Sequence, residues 1–136
     1  MPVVVNLGGE GEEPGAINVN AFIESAMWNR HFDEKIPPQL VIRRSAHDTG
    51  LDDESVDRVI ANHFPIQFDA FVIDSTGRRG SIALLATEIV RILRPRGFVS
   101  FACSSCDRRT LARAFEAVGL REVAIAPDGS VEGYKR

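Results

Sequence analysis

Side chains able to do chemistry are few in this sequence, and most fall where an apolar run ends. Asn62-His63 follows the run 56–61. A histidine, titrating near about 6.5, can take a proton from a hydroxyl nucleophile. A hydrogen-bonded histidine at a strand end is the competing reading, and Asn62 carries the same ambiguity. His47 and Asp48 lie in an acidic, turn-rich stretch, 45–57, where a solvated turn competes with a binding role. Cys103-Ser104-Ser105-Cys106 is a C-x-x-C between a strand and a helix, a setting that lowers a thiol pKa. Zinc needs two further ligands, and the sequence has no second Cys/His pair at ligand spacing, so no metal is expected. A dithiol redox motif belongs early in its fold and this one comes late, which leaves ordinary buried or capping cysteines as the stronger reading. Three arginine pairs, Arg43-Arg44, Arg78-Arg79 and Arg108-Arg109, suit carboxylate or phosphate, although solvated surface charge is the stronger reading of each.

The elements that must position these groups alternate between strand and helix patterns. Val3-Val4-Val5-Asn6-Leu7 reads as a buried parallel strand stopped by Gly8-Gly9, and 10–15 is loop chemistry throughout. Ala16-Ile17-Asn18-Val19 is the second strand, and Asn20 caps a helix over 21–29 with Phe22, Ile23, Ala26 and Met27 on one face. Pro37-Pro38 breaks the chain before a third strand, 39–42, and 56–61 is the fourth. The stretch 64–80 is too apolar for a free loop and holds an extra helix turn or strand. A helix runs from a Ser81 cap to Leu93, stopped by Pro95 and Gly97. The fifth strand is 98–102, and Asp107 caps a helix that ends at Gly119. Residues 123–125 and 131–135 close the chain as a hairpin through Asp128-Gly129. The pattern predicts one domain over 1–136, an α/β sheet with strands one to five parallel and an antiparallel C-terminal hairpin. In such sheets the ligand lies beyond the carboxyl ends of the strands, here Gly8-Gly9, Asn20, Arg44-Ser45, Asn62-His63 and Ala102-Cys103.

Composition narrows the class of function. The chain has 136 residues, 44% hydrophobic and 26% charged, with a formal net charge of -3. These proportions exclude a disordered, collagen-like or coiled-coil chain. A sequence pI of about 5.6 gives no basic field, so no nucleic-acid partner is expected. No apolar run of about 18 residues is present, so no membrane span is expected. The N-terminus has neither a basic segment nor a long apolar one, and two cysteines make no disulfide framework. A cytoplasmic location is the expectation.

Val5-Asn6-Leu7-Gly8-Gly9, then Pro14-Gly15-Ala16-Ile17-Asn18-Val19-Asn20, resembles the opening of class I S-adenosylmethionine-dependent methyltransferases of the Leu-Asn-Leu-Gly-x-Gly type. Downstream, 55–63 resembles the fourth-strand motif of that family. Glu88-Ile89-Val90-Arg91-Ile92-Leu93-Arg94-Pro95-Arg96-Gly97 resembles the helix and turn leading into its fifth strand, usually ending Leu-Lys-Pro-Gly-Gly. The resemblance implies a Rossmann-like methyltransferase fold, S-adenosylmethionine as cofactor, and methyl transfer to a small-molecule acceptor. It places Gly8, Gly9, Gly11, Asn20, Ser45, Ala46 and Asn62 around the cofactor, and His63 facing the transferred methyl as the catalytic candidate. The chain departs from the family pattern at three places. Glu10 stands at the second motif glycine, with Gly11 one residue on. Asn20 stands at the acid that takes the ribose hydroxyls, and Ser45 at the acid that reads adenine, with Asp48 three residues on. These departures support an alternative: the same fold without turnover, acting as a binding or regulatory partner.

Helices are sparse for a parallel sheet, which normally has both faces covered. Only 8–15 joins strands one and two, too short for a crossover helix. One face is thus left largely to 21–29, a three-layer α/β/α arrangement with one face under-covered. A homodimer or protein partner over that face, near Phe22, Met27 and Trp28, is the expectation.

Overall fold

The computed structural model describes residues 2–8, 13, 15–20, 41–42, 44–64, 70–72, 79–103 and 108–136. Its main sheet holds β1 (Val4–Leu7), β2 (Ile17–Val19), β3 (Val41–Ile42), β4 (Val56–Phe64), β7 (Leu93–Cys103), β8 (Arg121–Ile125) and β9 (Val131–Tyr134), in the order β3-β2-β1-β4-β7-β9-β8. The first five of these strands pair in parallel, and β9 runs antiparallel to both β7 and β8. Strand order reverses at β1, with β2 and β3 on one side and β4 on the other. In open α/β sheets ligands lie outside the carboxyl ends of the strands at such a switch point.

Register decides what each sheet face carries. Val5, Val59 and Val99 lie side by side across β1, β4 and β7, and Ala61, Phe101 and Val131 form a second row. These residues are buried together with Leu7 and Val19. Helices α1 (Ile82–Ile92) and α2 (Arg108–Ala117) both seal this face. Leu85, Ile89 and Ile92 recur at helical spacing on α1, and Leu111 and Phe115 do so on α2. Phe115 meets Phe101 edge-on with ring centroids 6.5 Å apart. Burying a side chain of this size contributes roughly 2 kcal/mol, so among the described residues this face carries most of the hydrophobic stabilisation.

The opposite face is mixed. One row runs Arg58, Phe98, Tyr134 and Arg121, with the Arg58 guanidinium 5.7 Å from the Phe98 ring centroid. The next runs Asn18, Asn6, Ile60, Ser100 and Glu132. Asn6 and Asn18 are fully or nearly fully buried, and the Asn6 amide donates to Asn18 Oδ1 at 3.1 Å. The helix expected over 21–29 lies outside the described residues, as do Phe22, Met27 and Trp28.

Sequence signals place most element ends. Ser81 caps α1, accepting the Leu84 N–H on its hydroxyl, and Leu93 ends the helix in extended backbone. The fifth predicted strand starts five residues earlier than its sequence pattern, because Arg94 to Gly97 bulge out while Leu93 still pairs with Val56. Gly97 permits that bulge: a Cβ there would lie 2.8 Å from the Arg94 carbonyl oxygen. In the C-terminal hairpin, Gly129 N–H donates to the Ala126 carbonyl and Gly129 takes φ +90°. The Asp-Gly pair thus forms the second half of a turn that begins at Ala126. Of 64–80, the described part gives the end of β4 and a small antiparallel pair, β5 (Ala70–Val72) with β6 (Arg79–Ser81). An extra strand is therefore the outcome there.

Candidate functional site

β1 ends at Leu7, and Gly8 turns the chain with φ +70°, a conformation that suits a residue without a Cβ. Gly8 N–H donates to the Val19 carbonyl at 2.7 Å, and Asn20 N–H donates to the Ile42 carbonyl at 2.9 Å. The ends of β1, β2 and β3 are thereby laced together. Asn20 Nδ2 also reaches the Gly8 carbonyl, at 3.4 Å. On the other side of β1, the pairing of Asn6 with Ile60 brings Asn62 beside Gly8. Asn62 Nδ2 donates to Glu13 Oε1 at 3.0 Å, across 49 residues of sequence. Gly8 thus sits between two asparagine amides, with a half-buried carboxylate over the second.

The segment after β3 is built differently. Ser45 and Ala46 are buried, each 5% exposed, inside a turn closed by Asp48 N–H to the Ser45 carbonyl. Arg44 braces the turn from outside, donating from Nε to the Asp48 carbonyl and from Nη2 to Asp48 Oδ1. From inside, Glu88 of α1 accepts both the backbone N–H and the hydroxyl of Thr49, at 2.8 and 2.7 Å. Arg91 closes the network, donating to both Glu88 oxygens and to Asp53. Burial pushes the Glu88 carboxyl up, but hydrogen bonds from Arg91 and Thr49 outweigh it, and the net shift is downward from 4.5. Hydrogen bonds to Glu88 and Asp53 push the Arg91 guanidinium up in turn.

Gly8, Asn20 and Asn62 converge at the carboxyl edge, and Ser45 and Ala46 border it from β3. Gly9 and Gly11 lie outside the described residues. His63 belongs to β4, one residue short of its end, so the strand runs through it. Cys103 ends β7, while Cys106 lies outside the described residues. Among the described residues, no group of three His, Cys, Asp or Glu could hold a metal ion.

Two residues escaped the sequence reading. Glu88 had a signal: it occupies a stripe position between Leu85 and Ile92, where a carboxylate needs a buried partner. Glu13 had none, being one of three glutamates in an unpatterned loop. Chemically, the described residues of the edge offer bare backbone at Gly8, neutral amides able to donate or accept, and the Glu13 carboxylate. That set matches a ligand bearing hydroxyls and a positive charge.

No family model and no curated protein matches the sequence. Solved structures do match. A S-adenosylmethionine-dependent methyltransferase from Archaeoglobus fulgidus is 17% identical, with a TM-score of 0.59; the match covers 90% of this chain and 62% of that one. The chain thus spans less than two thirds of that protein. Geranyl diphosphate C-methyltransferase from Streptomyces coelicolor A3(2), solved with S-adenosyl-L-homocysteine, is 14% identical, with a TM-score of 0.62 over all of this chain and 70% of the other. A Haloferax volcanii methyltransferase solved in complex with the Trm112 activator is 16% identical, with a TM-score of 0.59 over 98% of this chain and 81% of the structure. With the strand order and C-terminal antiparallel pair described above, these matches show that the chain has the fold of the class I S-adenosylmethionine-dependent methyltransferases.

Proposed function

We propose that the chain is a S-adenosylmethionine-dependent methyltransferase of a small-molecule acceptor. The observation that carries this reading is the convergence of Gly8, Asn20 and Asn62 at the strand-order switch point. The cofactor would supply a methyl group on a sulfonium. Gly8, with Gly9 and Gly11, offers backbone against which its methionine part lies. Asn20 bonds the ribose hydroxyls, and the Ser45-Ala46 turn borders the adenine. Asn62 flanks the reacting end, and His63 takes the proton that the acceptor hydroxyl gives up. Little more is required, since in-line positioning supplies most of the rate in methyl transfer.

A second reading keeps the fold without turnover, as a binding or regulatory partner. It is favoured by Asn20, whose amide is engaged with the Gly8 carbonyl where the family resemblance expects an acid. A protein partner or second copy belongs to either reading. The Trm112 complex of the Haloferax neighbour supports a protein partner, and light scattering would detect a second copy. A cytoplasmic location goes with both. Among the described residues, no helix is long and apolar enough to cross a membrane.

Calorimetric titration with S-adenosylhomocysteine, paired with a thermal melt, separates the two. Micromolar binding with a raised Tm supports the enzyme. Absence of binding at millimolar ligand leaves the fold as a partner module.

A further inference from the structure

We infer that Glu13 binds a cationic centre of the ligand, at its amino-acid end. This rests on the methyltransferase reading. Glu13 is a half-buried carboxylate at the mouth between the ends of β1 and β4, held there by one hydrogen bond from the neutral amide of Asn62. Among the described residues, no Lys, Arg or His lies within ion-pair distance of it. Five carboxylates of the described residues differ from it, while half-buried Glu132, in β9, likewise meets no cation among them. Asp48, Asp53, Asp57 and Glu88 each meet an arginine, and Glu54 meets Lys135. A carboxylate drawn partly out of water favours a cation beside it, and the described residues supply none.

Position selects the ligand group. Glu13 follows the Gly8 turn and reaches the end of β4, the two elements that the reading above gives to the methionine part of the cofactor. That part carries an α-ammonium, and in S-adenosylmethionine a sulfonium as well. Both are cations suited to a carboxylate whose orientation is fixed by an amide donor. Asn62 is then a positioning residue, since it acts through Glu13.

The test is calorimetry on wild type and Glu13→Gln with three ligands: S-adenosylmethionine, S-adenosylhomocysteine and adenosine. Glutamine keeps a carbonyl oxygen for the Asn62 amide, so a matched thermal melt checks that the fold is kept. The expected result is about tenfold or more weaker binding of the amino-acid-bearing ligands, the size of a charged hydrogen bond, with adenosine unchanged. Equal loss for both places Glu13 at the ammonium, and loss confined to S-adenosylmethionine places it at the sulfonium. Equal weakening of all three ligands, or no weakening of any, overturns the inference while the methyltransferase reading stands. A wild type that binds none of the three overturns both.

Discussion

The turn after β3 and the loop after β1 border the same edge of the sheet, yet they are held by different forces. Charge-assisted bonds clamp the first from two sides: Arg44 onto Asp48, and the Glu88–Arg91 pair onto Thr49 and Asp53. The second has only an amide-to-carbonyl bond, Asn20 to Gly8, and a single charge-assisted one, Asn62 to Glu13, with no arginine among the described residues to brace it. Charge-assisted hydrogen bonds are roughly twice as strong as neutral ones. The comparison teaches that the turn after β3 is fixed by the protein's own ion pairs, while Glu13 beside the Gly8 turn meets, among the described residues, only an amide donor.

Removing the clamp gives the largest effect. Glu88→Ala leaves Arg91 and the Thr49 N–H without their buried acceptor and should cost about 3 kcal/mol, measured by urea denaturation. The same carboxylate sets an acid limit. Its folded pKa is depressed, so its stabilisation is present above the ordinary value of 4.5 and is lost as pH falls through the lower folded value. Wild type should therefore lose stability below about pH 5 more steeply than Glu88→Gln, and parallel curves would show that the clamp is not ionic.

Asn20→Asp probes the neutral side with two opposed effects. A carboxylate cannot donate to the Gly8 carbonyl, so the ligand-free protein should lose about 1 kcal/mol. The same carboxylate accepts both ribose hydroxyls, so S-adenosylhomocysteine should raise the Tm of the variant more than that of wild type. An equal rise in both proteins would separate Asn20 from the ribose.

Asn62→Ala should have the smallest effect on stability, about 0.5 kcal/mol, because its partner Glu13 is half-buried and water replaces the lost donor. Its effect on binding should exceed its effect on stability. A loss as large as that of Glu88→Ala would make the two loops alike and end the comparison.

Local sequence determined much of this molecule. The valine runs, the Ser81 cap, the apolar stripes at Leu85–Ile92 and Leu111–Phe115, and the Gly119 and Gly129 turns each act within a few residues. Their meaning follows from period and backbone freedom alone. The positions of Gly8 and Asn20 at strand ends were legible for the same reason, whereas β4 runs on through Asn62 and His63 to Phe64. Tertiary structure alone decided what those ends hold. Glu13 meets Asn62 across 49 residues and Glu88 meets Thr49 across 39, and neither pairing leaves a local trace. The Arg94 to Gly97 bulge likewise exists only because Leu93 pairs with Val56. A side chain's type is written in the chain, but its partner is fixed by which strands lie side by side, and that order is a property of the folded sheet.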